Sequence, residues 1–419
     1  HSEQLEPMTS RERLLAVFAG RAPDHVPLTT WSFGFRAPPG LGWQTAGRDI
    51  PYWYSLRLEH LHTLPYPWTA ADECQRALAW RRLGVDDVLE VSVPWSQAPE
   101  VEVHDRVLAA GNAAGDARYP VMEREYRTPS GVLRHAVRKT EPEAPGWPFQ
   151  PDHVPLIEDY NIPRAVRHLV SGPADVAAVR HLFAPPDAGQ RQWLSLRLAA
   201  LRPLAEREGF LVQAWTAFGM DAVVWFMGTA EAVLMAMDEP QAFGCLVEII
   251  AETDYARTEL ALQTPGIDLV CQRGWYSSTD FWSPALFDRF VFPHVARLAA
   301  LAHRHGRPLA YVMTTGVERL GPRLAEAGVD VLYFVDPVQD RVSLERAREL
   351  MAGRMTLVGG TNALSLASGS RERIRCEVRR ALDVLGPSQR FVLHPVDALF
   401  PDTPWAGVEA LIAAWQECR

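Results

Sequence analysis

His394 and Asp397 stand three residues apart, where the apolar run Phe391-Val392-Leu393 gives way to a proline-containing turn. An imidazole titrates near neutrality and can protonate a departing oxygen; a neighbouring carboxylate fixes its tautomer and raises its pKa. The pair reads as a general acid with its partner, or as a strand end whose aspartate bonds a nearby N–H in an Asx-type turn. Asp336 likewise ends an apolar run, in "YFVDPV", where a carboxylate needs partners. Asn362 lies in "VGGTNAL", where Gly359 and Gly360 allow close backbone approach. His394, Asp397 and Asp336 are the expected catalytic groups. Arg36, Trp215, Gln272, Arg273, Trp275, Thr315 and Asn362 are the expected substrate-binding groups, each near the end of an apolar run.

Those runs are the elements that must hold the residues in place. Eight strand-like segments recur at 25–31, 85–93, 210–215, 267–272, 308–314, 329–335, 355–360 and 391–394. Helical patterns between them cover 50–83, 160–183, 187–208, 228–237, 240–263, 284–305, 317–327, 343–352 and 370–385. A last helix starts at Pro404 with Thr403 as its N-cap, and a first opens on a Thr9–Glu12 capping box. Strands that are apolar almost throughout are buried on both faces, as in a parallel sheet. Eight such units, each followed by a helix, predict an α/β fold of the (β/α)8 TIM-barrel type, with a doubly wound sheet as the competitor. No glycine-rich dinucleotide fingerprint supports that competitor. In a barrel the site forms where strands end, which makes the polar residues at those ends its candidates. From about 100 to 150 apolar and polar residues alternate around Pro129-Ser130-Gly131, a β-hairpin inserted between strands 2 and 3. One domain is expected over 8–419, with 1–7 a flexible or extraneous N-terminal extension.

Composition narrows the function classes. The 419 residues carry a formal charge of −9, which argues against a nucleic-acid backbone as partner. No apolar run is long enough to span a membrane and no signal peptide is visible, so a cytoplasmic location is expected. Five scattered cysteines without a C-x-x-C offer no thiolate cluster. Lys139 is the only lysine and sits in the polar hairpin, and no G-K-[ST] occurs, which removes Schiff-base and P-loop chemistry. The pairs His60/His62 and His303/His305 are two apart on expected helices and read as surface. Of 14 tryptophans, Trp31, Trp215, Trp275 and Trp282 fall near strand ends, with Trp95 close by. They could wall a flat apolar ligand or seal loops over the core.

"MTSRERLLAVFAGRAPDHVPL", "LVGGTNALSLASGSRERIRCEV" and "FVLHPVDALFPDTPWAGVEALIAAW", in that order, resemble the uroporphyrinogen decarboxylase superfamily. The resemblance spans nearly all of 8–419, is weakest in the hairpin, and implies a barrel enzyme. The hairpin resembles the corrinoid-linked methyltransferase branch, whose zinc members carry His-x-Cys at the end of strand 5 and a cysteine after strand 8. Here those places read "YVMTTG" and "HPVDALF", so no metal is expected. True decarboxylases carry an arginine-rich stretch after strand 1 and an aspartate after strand 2; here they read "WSFGFRAPPG" and "LEVSVPW". The resemblance thus implies methyl transfer or demethylation of a small substrate, with no tightly bound cofactor. The acceptor would be a corrinoid on a separate protein, since no D-x-H-x-x-G motif is present. The alternatives are a decarboxylase of an aromatic or pyrrolic acid and a non-catalytic ligand-binding barrel. A homodimer is also expected as an assembly.

Overall fold

The computed structural model describes residues 7–32, 35, 38–41, 68–140, 153–159, 161–351, 353–400 and 402–419. Arg36, His60, His62 and the expected helical stretch before residue 68 lie outside them. Seven parallel strands form one curled sheet in the order β1 (Leu89–Ser92), β6 (Val212–Ala217), β7 (Leu269–Gln272), β8 (Leu309–Val312), β9 (Val331–Val335), β10 (Thr356–Asn362) and β11 (Phe391–Val396). The remaining stave is the segment expected at 25–31, which forms bridges and no full ladder. On one side Leu28 pairs with Leu393; on the other, Asp86 N–H donates to Leu28 O at 2.8 Å. Pro27 has no N–H to give, and Leu28 N–H is taken by the Asp86 carboxylate at 3.2 Å, so a regular ladder cannot propagate.

The hairpin is present and larger than expected. Val121–Thr128 (β3) and Gly131–Arg138 (β4) turn at Pro129-Ser130, and Glu102–Leu108 (β2) and Ala165–Arg167 (β5) flank them in an antiparallel sheet. The helix expected over 160–183 is broken into Asn161–Arg164, β5 and Val176–Val179. Pro163 and the Gly172-Pro173 step account for this, since proline removes an N–H and glycine lacks helical bias. The helix over 284–305 divides at Val291, before Pro293. Met220–Met227, not anticipated, follows β6 directly. The last helix starts one residue late, at Trp405, because Thr403 Oγ1 accepts from Phe400 N–H and does not cap it.

Helix Ser10–Phe18 closes the barrel's lower end. Its capping box is formed as expected, with Thr9 N–H donating to Glu12 Oε2 at 2.8 Å. Its Leu14, Val17 and Phe18 join one apolar cluster with the inward residues Leu211, Leu269, Val331 and Val392. Among the described residues no single helix is long and apolar enough to cross a membrane.

Candidate functional site

A cavity of about 670 Å³ opens at the carboxyl ends of the strands, a volume that encloses a small organic ligand. Its floor is aromatic. Trp31 ends the bridging stave, Trp215 points inward from β6, and Trp275 opens the turn after β7. The Trp31 ring is 5.1 Å from Trp215 and 5.9 Å from Trp275, and Trp215 lies nearly parallel to Trp275 at 6.1 Å. Tyr333 stacks on Trp31 from inside the barrel at 4.8 Å. Each such pair is worth about 0.5–1.5 kcal/mol beyond area burial, so the floor is stiff.

Two of the three indoles are pinned through nitrogen. Trp215 Nε1 donates to Glu90 Oε1 at 3.3 Å, and burial pushes the pKa of the Glu90 carboxyl well above its ordinary range. Trp275 Nε1 donates to Asp397 Oδ2 at 3.1 Å. Asp397 keeps part of its surface on the cavity, and burial raises its pKa against the opposing effect of that indole bond.

Arg273 lines the same space, and its charge is already answered. Its Nε donates to Asp221 Oδ2 at 3.0 Å and its Nη2 to Asp159 Oδ2 at 3.3 Å. The guanidinium carbon lies 4.7 Å from the ring centroids of both Trp225 and Trp275. Tyr276 serves both acids, its N–H donating to Asp221 and its hydroxyl to Asp159. Burial lifts Asp221 to about 6 even with Arg273 beside it. Thr315, after the neighbouring strand β8, lines the cavity beside this loop and donates to Asp280 Oδ2 at 2.5 Å.

The structure thus brings Asp397, Trp215, Arg273, Trp275 and Thr315 to one cavity. Of the other expected residues, those that are described lie elsewhere. His394 is fully enclosed against Trp31 and Phe334, outside the cavity wall. Its Nε2 faces Asp397 main-chain O at 3.0 Å, which only accepts, so Nε2 carries the proton and Nδ1 accepts from Thr29 Oγ1 at 2.9 Å. Burial drops its pKa to about 3, and its neighbour's contact is through the carbonyl, not the carboxylate. Asp336 is fully buried and accepts from Val338 N–H, Gln339 N–H and Asn362 Nδ2. Asn362 in turn caps helix Ala363–Ser368 through Leu364 N–H at 2.8 Å. These two residues partner each other.

Gln272 faces away from the cavity. Cys271 belongs to the inner cluster, so strand alternation turns Gln272 outward, beside Gly219 and the helices Pro240–Gln263 and Phe292–Arg304. Trp95 packs on Phe183 and Phe218, and Trp282 on Phe243, so both seal the core. His303 and His305 are exposed. Asp159, Tyr276, Asp280, Phe281 and Phe400 were not anticipated on the cavity; the last four lie in the same βα loops as expected residues, which was the available signal.

The donor set does not suit a zinc ion. Strand β8 runs into Met313, Thr314 and Thr315, whose hydroxyl and thioether groups are poor zinc ligands. Among the described residues no three His, Cys, Asp or Glu side chains gather as a metal would require.

Comparison with known proteins agrees with this architecture. The chain covers 98% of itself against 99% of a methyltransferase from Methanosarcina mazei, with 17% identity and a TM-score of 0.58. Smaller overlaps occur with the 3-keto-D-glucoside 4-epimerase YcjR from E. coli (10% identity, 55% of this chain and 86% of that one, TM-score 0.35). A D-psicose 3-epimerase from Clostridium cellulolyticum H10 overlaps similarly (11% identity, 54% and 81%, TM-score 0.33). No curated protein matches the chain. The family model described as Uroporphyrinogen decarboxylase (URO-D) matches residues 184–418, which takes in β6 to β11, with Trp215 in β6, and the loops that carry Arg273, Trp275 and Asp397. The chain therefore belongs to the uroporphyrinogen decarboxylase family of enzymes.

Proposed function

We propose that this barrel removes a methyl group from a small substrate lying on the tryptophan floor and passes it to a corrinoid held by a separate protein. When bound, the corrinoid would supply the nucleophile that accepts the methyl carbon. The chain's own part is to orient, enclose and balance charge. Trp31, Trp215 and Trp275 hold the donor flat and exclude water, and Asp397 meets the group that departs. Protonated, Asp397 could donate to a leaving oxygen; ionised, it could stabilise a positive nitrogen.

The observation that carries this reading over decarboxylation is Arg273. A carboxylate substrate needs a cation free to orient it, whereas the one guanidinium among the described lining residues is held by Asp221 and Asp159. The test supplies free cob(I)alamin in place of the partner and follows methylcobalamin formation with methyl ethers and methylated amines. At least one donor should react, and Asp397→Asn should slow it by about two to four orders of magnitude while the chain stays folded. The sign of the pH limb then assigns the protonation state. Asp397 acting as a donor loses activity as pH rises through its raised pKa; acting as a counter-ion it loses activity as pH falls through it. Carbon dioxide release from an aromatic acid, with no methyl transfer from any donor, would refute the proposal.

A further inference from the structure

We infer that the cavity selects a positively charged, methylated onium group, such as a trimethylammonium, as its ligand. The inference rests on the demethylation reading only for the methyl groups; the charge preference stands on the cavity itself.

Charge is the first observation. Among the described lining residues are three carboxylates, Asp159, Asp280 and Asp397, and one guanidinium, Arg273. Asp221, just behind the wall, adds a further acid against the same arginine. An anionic ligand would meet a surplus of negative charge, and a neutral one would leave that surplus unanswered.

The floor is the second, independent observation. Trp31, Trp215 and Trp275 give three indole rings in mutual contact, and indole is the strongest aromatic partner for a cation. The site already uses this attraction, since Arg273 lies against Trp225 and Trp275. A trimethylammonium group cannot donate hydrogen bonds, so it needs diffuse π faces and nearby carboxylates and no directed acceptors. The cavity offers that combination: Trp275 Nε1 is spent on Asp397 and Trp215 Nε1 on Glu90, so neither of these two N–H groups is left to oppose a cation.

Titration calorimetry on the full chain tests this with three ligands of one shape. Choline carries the charge, 3,3-dimethyl-1-butanol replaces nitrogen by carbon, and 3,3-dimethylbutanoate reverses the charge. Choline should bind at least about tenfold more tightly than the neutral alcohol, and the anion should bind weakest. Asp397→Asn should shrink the choline-to-alcohol ratio several-fold. Asp280→Asn, at an exposed position where folding is not at stake, should shrink it in the same direction. Equal or tighter binding of the alcohol or the anion overturns the inference, as does no choline binding at millimolar concentration. Methyl transfer from uncharged donors without any choline preference would overturn this inference and leave the demethylation reading intact. Choline preference without methyl transfer would do the reverse.

Discussion

Replacing His394 by glutamine separates an enclosed, neutral imidazole from one that titrates during the reaction. The structure holds this ring without contact to solvent and lowers its pKa from 6.5 to about 3 by burial. The unfolded chain therefore binds one more proton than the folded one between those values. Its contribution to stability is complete above about pH 6.5 and is lost as pH falls towards 3. Between pH 7 and pH 5 a shift of this size removes about 2 kcal/mol. In His394→Gln that loss disappears, while the similarly depressed His135 acts in both proteins and cancels. Urea denaturation of parent and variant at pH 7 and pH 5 should show the parent losing about 2 kcal/mol more on acidification. At pH 7 the variant itself should be about 1–3 kcal/mol weaker, because the amide's acceptor and donor do not sit where the ring holds Nδ1 and Nε2 against Thr29 Oγ1 and Asp397 O. Equal acid sensitivity of parent and variant would refute the enclosed, neutral ring. So would turnover lost a hundredfold or more with unchanged stability, which is the signature of an acid in the reaction.

Asp336→Ala should cost about 2–5 kcal/mol in the same assay, since it strands Val338 N–H, Gln339 N–H and the Asn362 amide in a buried place; a loss below about 1 kcal/mol would contradict that accounting. Gly359→Ala should cost more than about 2 kcal/mol, because its φ is 138° and a Cβ would lie 2.3 Å from Val335 O. Gly353→Ala is the control, with φ of 69° and nothing within 4 Å, and should cost about 1 kcal/mol.

The barrel was legible because its strands are apolar on both faces and its helices carry period, so helix Val317–Ala327 matches its expected bounds. What the sequence hid was parity. Leu269, Val270 and Cys271 are all apolar and give no hint of which face turns inward, so Gln272 and Arg273 looked alike. Only closure of the sheet sends the arginine to the cavity and the glutamine to the helices. Asp336 and Asn362 each looked like a group in need of a ligand. They satisfy one another across a bulge between β9 and β10, a contact between residues 26 apart that no local pattern carries. Asp159 was hidden for a related reason: it enters from the inserted segment, 114 residues before the arginine it meets. His394 lies near the end of its strand as expected, but its ring is enclosed behind the cavity wall. A histidine at a strand end is compatible with both roles, and only the depth of burial and the identity of the acceptor separate them.

Plugging the lower end with Leu14, Val17 and Phe18 makes the barrel a cul-de-sac on that side. Whatever occupies the tryptophan floor entered, and must leave, through the face that carries the strand ends. If a second protein docks over that face to collect the methyl group, it also shuts the exit. Traffic then has a compulsory order: donor in, acceptor protein on, acceptor protein off, demethylated product out. Excess acceptor protein should therefore slow turnover by closing the mouth before the donor arrives, a substrate inhibition that originates in one apolar helix at the opposite end of the molecule.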